Sequence, residues 1–284
     1  MGLFSRDRCE GKTPEQLAMM RTAGLLVART LELVARQVRP GMTTLDLDTL
    51  AETHIRDHGG IPNFQLVPGY RHTLCTSVND EIVHGIPGSR VLEAGDLLSV
   101  DCGAEVAGWN GDAALTLVVG GPEAARPEDL ELSEDTETSL WAGIAALRVD
   151  RPLYDVGAAV EDSLTDSSTR RGREYGIVED YVGHGIGTSM HMDPQVPNYR
   201  VDGRSPKVCD GLTIAIEPMV TLGDQDNTIL EDEWTVVTRD GSRAAHWEHS
   251  VAVTEAGTCV LTALDGGRER LATLGVPFAD ITPA

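Results

Sequence analysis

Positive charge is scarce in this 284-residue sequence: 23 Lys and Arg face 45 Asp and Glu, a formal net charge of −22. Such a chain repels phosphate backbones and anionic lipid, which excludes sequence-independent nucleic-acid binding and surface attachment to a membrane. Cysteine is sparse and scattered, with five residues at 9, 75, 102, 209 and 259 and no Cys-x-x-Cys pair. The odd count and wide spacing suggest neither a disulfide framework nor a zinc ribbon, and they fit a reducing compartment. No apolar run reaches the ~20 residues that span a bilayer. Met1-Gly2-Leu3-Phe4-Ser5-Arg6 carries charge where a signal peptide has its apolar core, and Arg6 occupies the Ser/Thr position of a myristoylation motif. The expectation is a cytoplasmic protein.

What is present is ordinary for a globular chain. Apolar residues make up 41% and charged residues 24%, and the length is sufficient for a sizeable core without staples. One or two domains fit that length. A short tail over 1–12, a single catalytic domain over 13–265 and a C-terminal tail over 266–284 are expected.

Thr13-Pro14-Glu15-Gln16 has the form of a helix start, with Thr13 as cap, Pro14 at the first helical position and Gln16 closing a capping box. Leu17, Met20, Gly24, Val27, Leu31, Val34 and Val38 then recur at three- and four-residue spacing, one buried stripe that Pro40-Gly41 terminates. A second helix is predicted from Thr43 or Thr44 to Gly59-Gly60. The long polar and Pro/Gly-rich stretch from Ile61 to Asn79 has the character of a site-lining loop. From Leu97 to Val119 two strands flank a turn near Val106-Ala107-Gly108. The acidic stretch from Gly120 to Asp135 is predicted as a solvated loop, and a further helix from about Glu134 to Val149. Arg151-Pro152 then precedes the amphipathic series Leu153, Val156, Val160 and Leu164. Two helix pairs, each followed by strand-rich sequence, suggest a duplicated α-α-β half. The class is α+β, with mostly antiparallel strands.

The chemistry lies in residues of ligand type beside apolar strands. With a two-residue loop at Val106-Ala107, Asp101 and Asp112 face each other across the hairpin. Opposed carboxylates repel unless a divalent cation lies between them. Gly183-His184-Gly185-Ile186-Gly187 puts an imidazole where backbone approaches closely. Glu217 ends Ile214-Ala215-Ile216, and Glu248 precedes Val251-Ala252-Val253. Each alone reads as a paired structural carboxylate or a satisfied core histidine. Together, two Asp, one His and two Glu with no thiolate suit a pair of divalent ions such as Mn, Fe(II), Co or Zn. Strand alternation turns Cys102 away from Asp101, into the core. His54 and His58 have the i, i+4 spacing of a zincin helix but no Glu after the first His, so they read as a surface helix.

Ordered motifs then carry a resemblance. Cys75-Thr76-Ser77-Val78-Asn79-Asp80, His84-Gly85-Ile86-Pro87, Gly95-Asp96-Leu97-Leu98-Ser99-Val100-Asp101, Asn110-Gly111-Asp112, Gly183-His184-Gly185-Ile186-Gly187, His191, Glu217-Pro218-Met219-Val220 and Glu248-His249 stand in register with the type I methionine aminopeptidases. The chain resembles that family from Lys12 to about Thr262. The resemblance implies the pita-bread fold, an antiparallel sheet with flanking helices in two pseudo-symmetric halves. It implies Asp101, Asp112, His184, Glu217 and Glu248 as ligands of two divalent ions, with Asp112 and Glu248 bridging and Glu217 also handling the water's proton. His84 would contact the scissile amide, and His191 the carbonyl and its developing oxyanion.

Tyr70, Cys75 and Trp234 match the family's methionine pocket, which Phe64, Val67 and Met190 would complete. Val67-Pro68 stands in place of the usual Tyr-His, Met190 in place of Phe, and Asn110 where His is common. The implied activity is removal of initiator methionine from nascent chains with a small second residue, by a monomer in transient contact with the ribosome. A catalytically altered paralogue with different N-terminal specificity, a related peptidase acting on Xaa-Pro or dipeptide substrates, and a pita-bread binding module without activity are the rival readings.

Overall fold

A computed structural model of the chain describes residues 9–284. The stretch read for a signal or a lipid anchor, 1–6, lies outside the described residues. Helix α1 spans Pro14–Gln37 and opens on the expected capping box: the Gln16 N–H donates to Thr13 Oγ1, and the Thr13 N–H donates to Gln16 Oε1. Helix α2, Thr44–Asp57, repeats the device with Thr43 and Asp46. A four-stranded antiparallel sheet follows. Its Leu97–Val106 strand pairs on one edge with Leu74–Val78 and Ile61–Pro62, and on the other with Trp109–Val118.

The second half begins with α3, Pro127–Ala146, and α4, Asp155–Arg171, which Gly172 caps at φ 68°. Its main sheet has five antiparallel strands in the order Gly257–Val260, His249–Thr254, Leu212–Ile216, Gly183–Gly185 and Met192–Val196. Two three-stranded sheets complete the architecture. A helix pair followed by an antiparallel sheet thus occurs twice, as the two helix pairs in the sequence suggested.

α3 starts seven residues before the predicted Glu134, so 127–135 is helix rather than solvated loop. Pro127 fits the first helical position and Glu128 and Asp129 favour the helix's positive end. The charges that marked a loop are partly buried: Asp129 pairs with Arg126 and Arg243, and Asp135 with Arg170 and Arg171. Cys9 and Cys209 form a disulfide across a separation of 200 residues, against the expectation of free thiols. Sequence spacing carries no signal for a bridge that long. Cys75, Cys102 and Cys259 are free and buried.

The stretch after 265 folds onto the domain. Helix α5, Arg268–Thr273, buries Leu271, and Val276 joins the second half's core. Among the described residues no helix is long and apolar enough to cross a membrane.

α1 belongs to both halves. Val27, Leu31 and Val34 pack in the first half's core, while Leu17 and Met20 pack with Ile186, Ala252, Cys259 and Leu261 of the second. Between them, a Cβ at Gly24 would collide with the Leu261 carbonyl, so only glycine lets the helix backbone sit that close. The buried Arg21 guanidinium donates to the carbonyls of Leu261 (2.6 Å), Ala263 (2.7 Å) and Leu264 (3.0 Å).

Candidate active site

The hairpin turn is Ala107-Gly108, with φ of 50° and 82°, and Val106 pairs with Trp109. A two-residue turn with both central φ positive wants glycine second, which moves the loop one residue beyond Val106-Ala107. Asp101 therefore opposes Ala114, and Asp112 opposes Gly103. The two aspartates are diagonal neighbours on one face, not directly opposed. Cys102 points to the other face and is fully buried there.

The two halves meet at this hairpin. The Ala114 N–H donates to the Glu248 carbonyl (3.3 Å), and the Glu248 N–H returns a bond to Ala114 (3.0 Å). Ser250 Oγ accepts from the Asp112 N–H and donates to the Asp112 carbonyl. Asp112 and Glu248, from opposite halves, are thus fixed side by side. Ligand-type atoms of Asp112, His184 and Glu248 lie within 4.8 Å of one another. Glu217 Oε1 is 3.6 Å from His184 Nε2. Its backbone is held by Asn198, whose Nδ2 donates to the Glu217 carbonyl.

One cavity of about 150 Å³ gathers the expected ligands and pocket residues: Asp101, Asp112, His184, Glu217, Glu248, His84 and His191, with Phe64, Val67, Tyr70, Cys75, Met190 and Trp234. The apolar members cluster, Tyr70 meeting Trp234 edge-on at 4.9 Å and Phe64 at 6.4 Å. Tyr70 Oη donates to the Leu74 carbonyl. Asn110 has a structural task. Its N–H and Nδ2 both donate to the Gly187 carbonyl, anchoring the loop that carries Met190 and His191. His54 and His58, at the end of α2, do not line this cavity; their rings lie 4.3 Å apart and tilted, with Nδ1 atoms bonded to Thr30 and the His54 carbonyl.

The electrostatics identify what the cavity needs. Burial lifts the Asp101 carboxyl to about 7. Asp112 and Glu248 lie well above the usual carboxylate range through burial and then the charge of their acidic neighbours, as does Glu217, raised by burial and Asp101. No Lys or Arg lines the cavity to offset them. Asp101 Oδ1, Asp112 Oδ1 and Glu248 Oε1 are buried without a hydrogen-bond partner, a costly arrangement for a protein on its own. His184 Nδ1 bonds the Gly185 carbonyl at 2.9 Å, which leaves Nε2 as a lone pair toward the carboxylates. Burial also holds His84 and His184 down to about 4, and lowers His191, so neutral imidazole prevails. Oxygen and imidazole donors, buried, unpaired and converging, fit a divalent-metal centre.

The sequence reading passed over His246, Asn198 and Ser250. His246 sits two residues before Glu248 in Ala244–His246, a short run whose only signal is a histidine among small residues.

A fold of two helix-and-sheet halves with an acidic, imidazole-bearing centre at their seam defines a metallopeptidase. The sequence pattern of metallopeptidase family M24 matches residues 18–255, and the chain belongs to that family. It is 49% identical over 248 residues to methionine aminopeptidase 1 of Mycobacterium tuberculosis, covering 87% of this chain and 92% of that one. The crystal structure of the Thermotoga maritima methionine aminopeptidase superposes with a TM-score of 0.84 at 38% identity, covering 90% of this chain and all of that one. An Xaa-Pro dipeptidase from Bacillus anthracis shares the fold alone, with a TM-score of 0.65 at 19% identity over 88% of this chain and 61% of its own. The pita-bread fold is therefore the fold of this chain.

Proposed function

We propose that the chain is a methionine aminopeptidase that removes the N-terminal methionine from nascent proteins whose second residue is small. The observation that carries this reading is the single cavity in which four carboxylates and His184 adjoin an apolar slot and two further histidines. The 49% identity to a methionine aminopeptidase supports it over the Xaa-Pro and binding-module alternatives.

Asp101, Asp112, His184, Glu217 and Glu248 would hold two divalent ions, Co, Mn, Fe or Zn, with Asp112 and Glu248 shared between them. Bound there, such ions acidify a water molecule and polarise the scissile carbonyl. Glu217 takes the proton of the attacking water and delivers it to the leaving amine. His191, neutral, donates an N–H to the scissile carbonyl oxygen as negative charge develops. His84 contacts the scissile amide. The methionine side chain enters between Phe64, Val67, Tyr70, Cys75, Met190 and Trp234, where the Met190 thioether suits a sulfur-bearing ligand. The enzyme acts as a monomer, in the cytoplasm, with only transient ribosome contact.

The test is methionine release from Met-Ala-Ser and Met-Gly-Met-Met by metal-free protein reloaded with Co(II) or Mn(II). Metal-dependent release of methionine is the expected result. Metal binding without release from either peptide, or preferential cleavage of Ala-Pro substrates, overturns the reading.

A further inference from the structure

His246 is 1% exposed, and its Nε2 is buried with no hydrogen-bond partner. The ring is not there by slack packing. The His246 N–H donates to Thr116 Oγ1 at 2.9 Å, and Thr116 Oγ1 donates back to the His246 carbonyl at 2.7 Å. Strand pairing fixes the other side, since His246 opposes Met219, two residues after Glu217. So anchored, His246 Nε2 stands 3.9 Å from Glu217 Oε2, while Glu217 Oε1 is 3.6 Å from His184 Nε2. The Glu217 carboxylate lies between two imidazoles, one oxygen toward each. At 3.9 Å the pair stands about 1 Å beyond hydrogen-bond distance, a separation that a side-chain shift has to close.

We propose that His246 is the positioning residue for Glu217: its Nε2–H holds Oε2 and so aims Oε1 into the metal centre. The proposal rests on the metal-centre reading of Glu217 given above. Its physical logic is that of a partner behind a ligand, which fixes the ligand's orientation and commonly accounts for 10–100-fold in metal affinity or activity. A burial role alone would require neither a donor nor a particular nitrogen.

Glutamine places its amide nitrogen near the position of Nε2, and asparagine near that of Nδ1. The experiment compares His246→Gln, His246→Asn and His246→Leu with the unaltered enzyme. Mn(II) binding is followed by calorimetry on metal-free protein, and kcat and KM are measured for Met-Ala-Ser. Expected is a roughly 10–100-fold loss in kcat and weaker binding of Mn(II) for the Asn and Leu variants. KM should stay within about threefold, and His246→Gln should recover most of both losses. Equal behaviour of the Gln and Asn variants, or Mn(II) affinity and kcat unchanged in all, overturns the proposal. Should the Leu variant fail to fold, the Gln and Asn pair decides alone. Unaltered protein that binds no divalent metal would instead refute the metal-centre reading itself.

Discussion

Two sets of buried carboxylates in this chain are accommodated in opposite ways. On α3, Asp129 and Asp135 are almost wholly inaccessible, yet each has two arginines: Arg126 and Arg243 for the first, Arg170 and Arg171 for the second. Tyr175 adds a hydroxyl to Asp135, and arginine and tyrosine partners hold that carboxyl below its usual range despite burial. At the seam between the halves, Asp101, Asp112, Glu217 and Glu248 share a cavity that no Lys or Arg lines, and their carboxyls are raised. A buried acid that the protein pairs internally is scaffold. Buried acids left to repel one another must take up protons or a cation.

The largest effect that sharpens this contrast is loss of a seam carboxylate. Asp112→Ala or Glu248→Ala should abolish Mn(II) loading and lower methionine release on the order of a thousandfold or more, because the acidification of water is lost with the metal. Substantial activity in either variant, measured with calorimetry on the same sample, would break it. Arg243→Met acts on the other set. Leaving Asp129 with Arg126 alone should cost on the order of 3 kcal/mol in urea denaturation, with metal binding untouched.

Asp101→Asn should do the reverse and stabilise the metal-free protein in a pH-dependent way. The folded chain keeps this carboxyl protonated up to about 7, whereas the unfolded chain ionises it near 3.9. Stability from the raised group is present below the unfolded value and is lost as pH rises through the folded one. The variant's advantage in Tm should therefore be absent below about pH 4, grow with pH, and level off above 7; a pH-independent difference would refute it. Smallest of all, Arg151→Ala removes an exposed pair with Asp155. It should shift stability by no more than about 0.5 kcal/mol by the same urea measurement.

What the sequence revealed depended on whether the signal was local. The Thr13 and Thr43 caps and the apolar stripe of α1 are written within a few residues, and they set the helix starts correctly. The hairpin register slipped because one left-handed turn residue was assigned a position too early, a choice only Gly108 informs. The start of α3 was missed because acidic residues at a helix's N-terminal end and acidic residues in a loop look alike until their arginines, as distant as Arg243, are seen. Cys9 and Cys209 become partners only through the fold. At the centre, ligand-type residues beside apolar strands pointed to five groups and the family resemblance to eight more, and all thirteen line one cavity. His246 was invisible because its meaning lies in a distance to Glu217, not in any neighbour along the chain.

α1 carries a consequence for motion. It is braced into the first half by Val27, Leu31 and Val34 and riveted to the second by Arg21 and the close approach at Gly24. The backbone bonds between Ala114 and Glu248 join the halves again at the floor of the cavity. Two such ties leave no axis about which the halves can swing as jaws. Entry of substrate and exit of product therefore cannot depend on the halves parting.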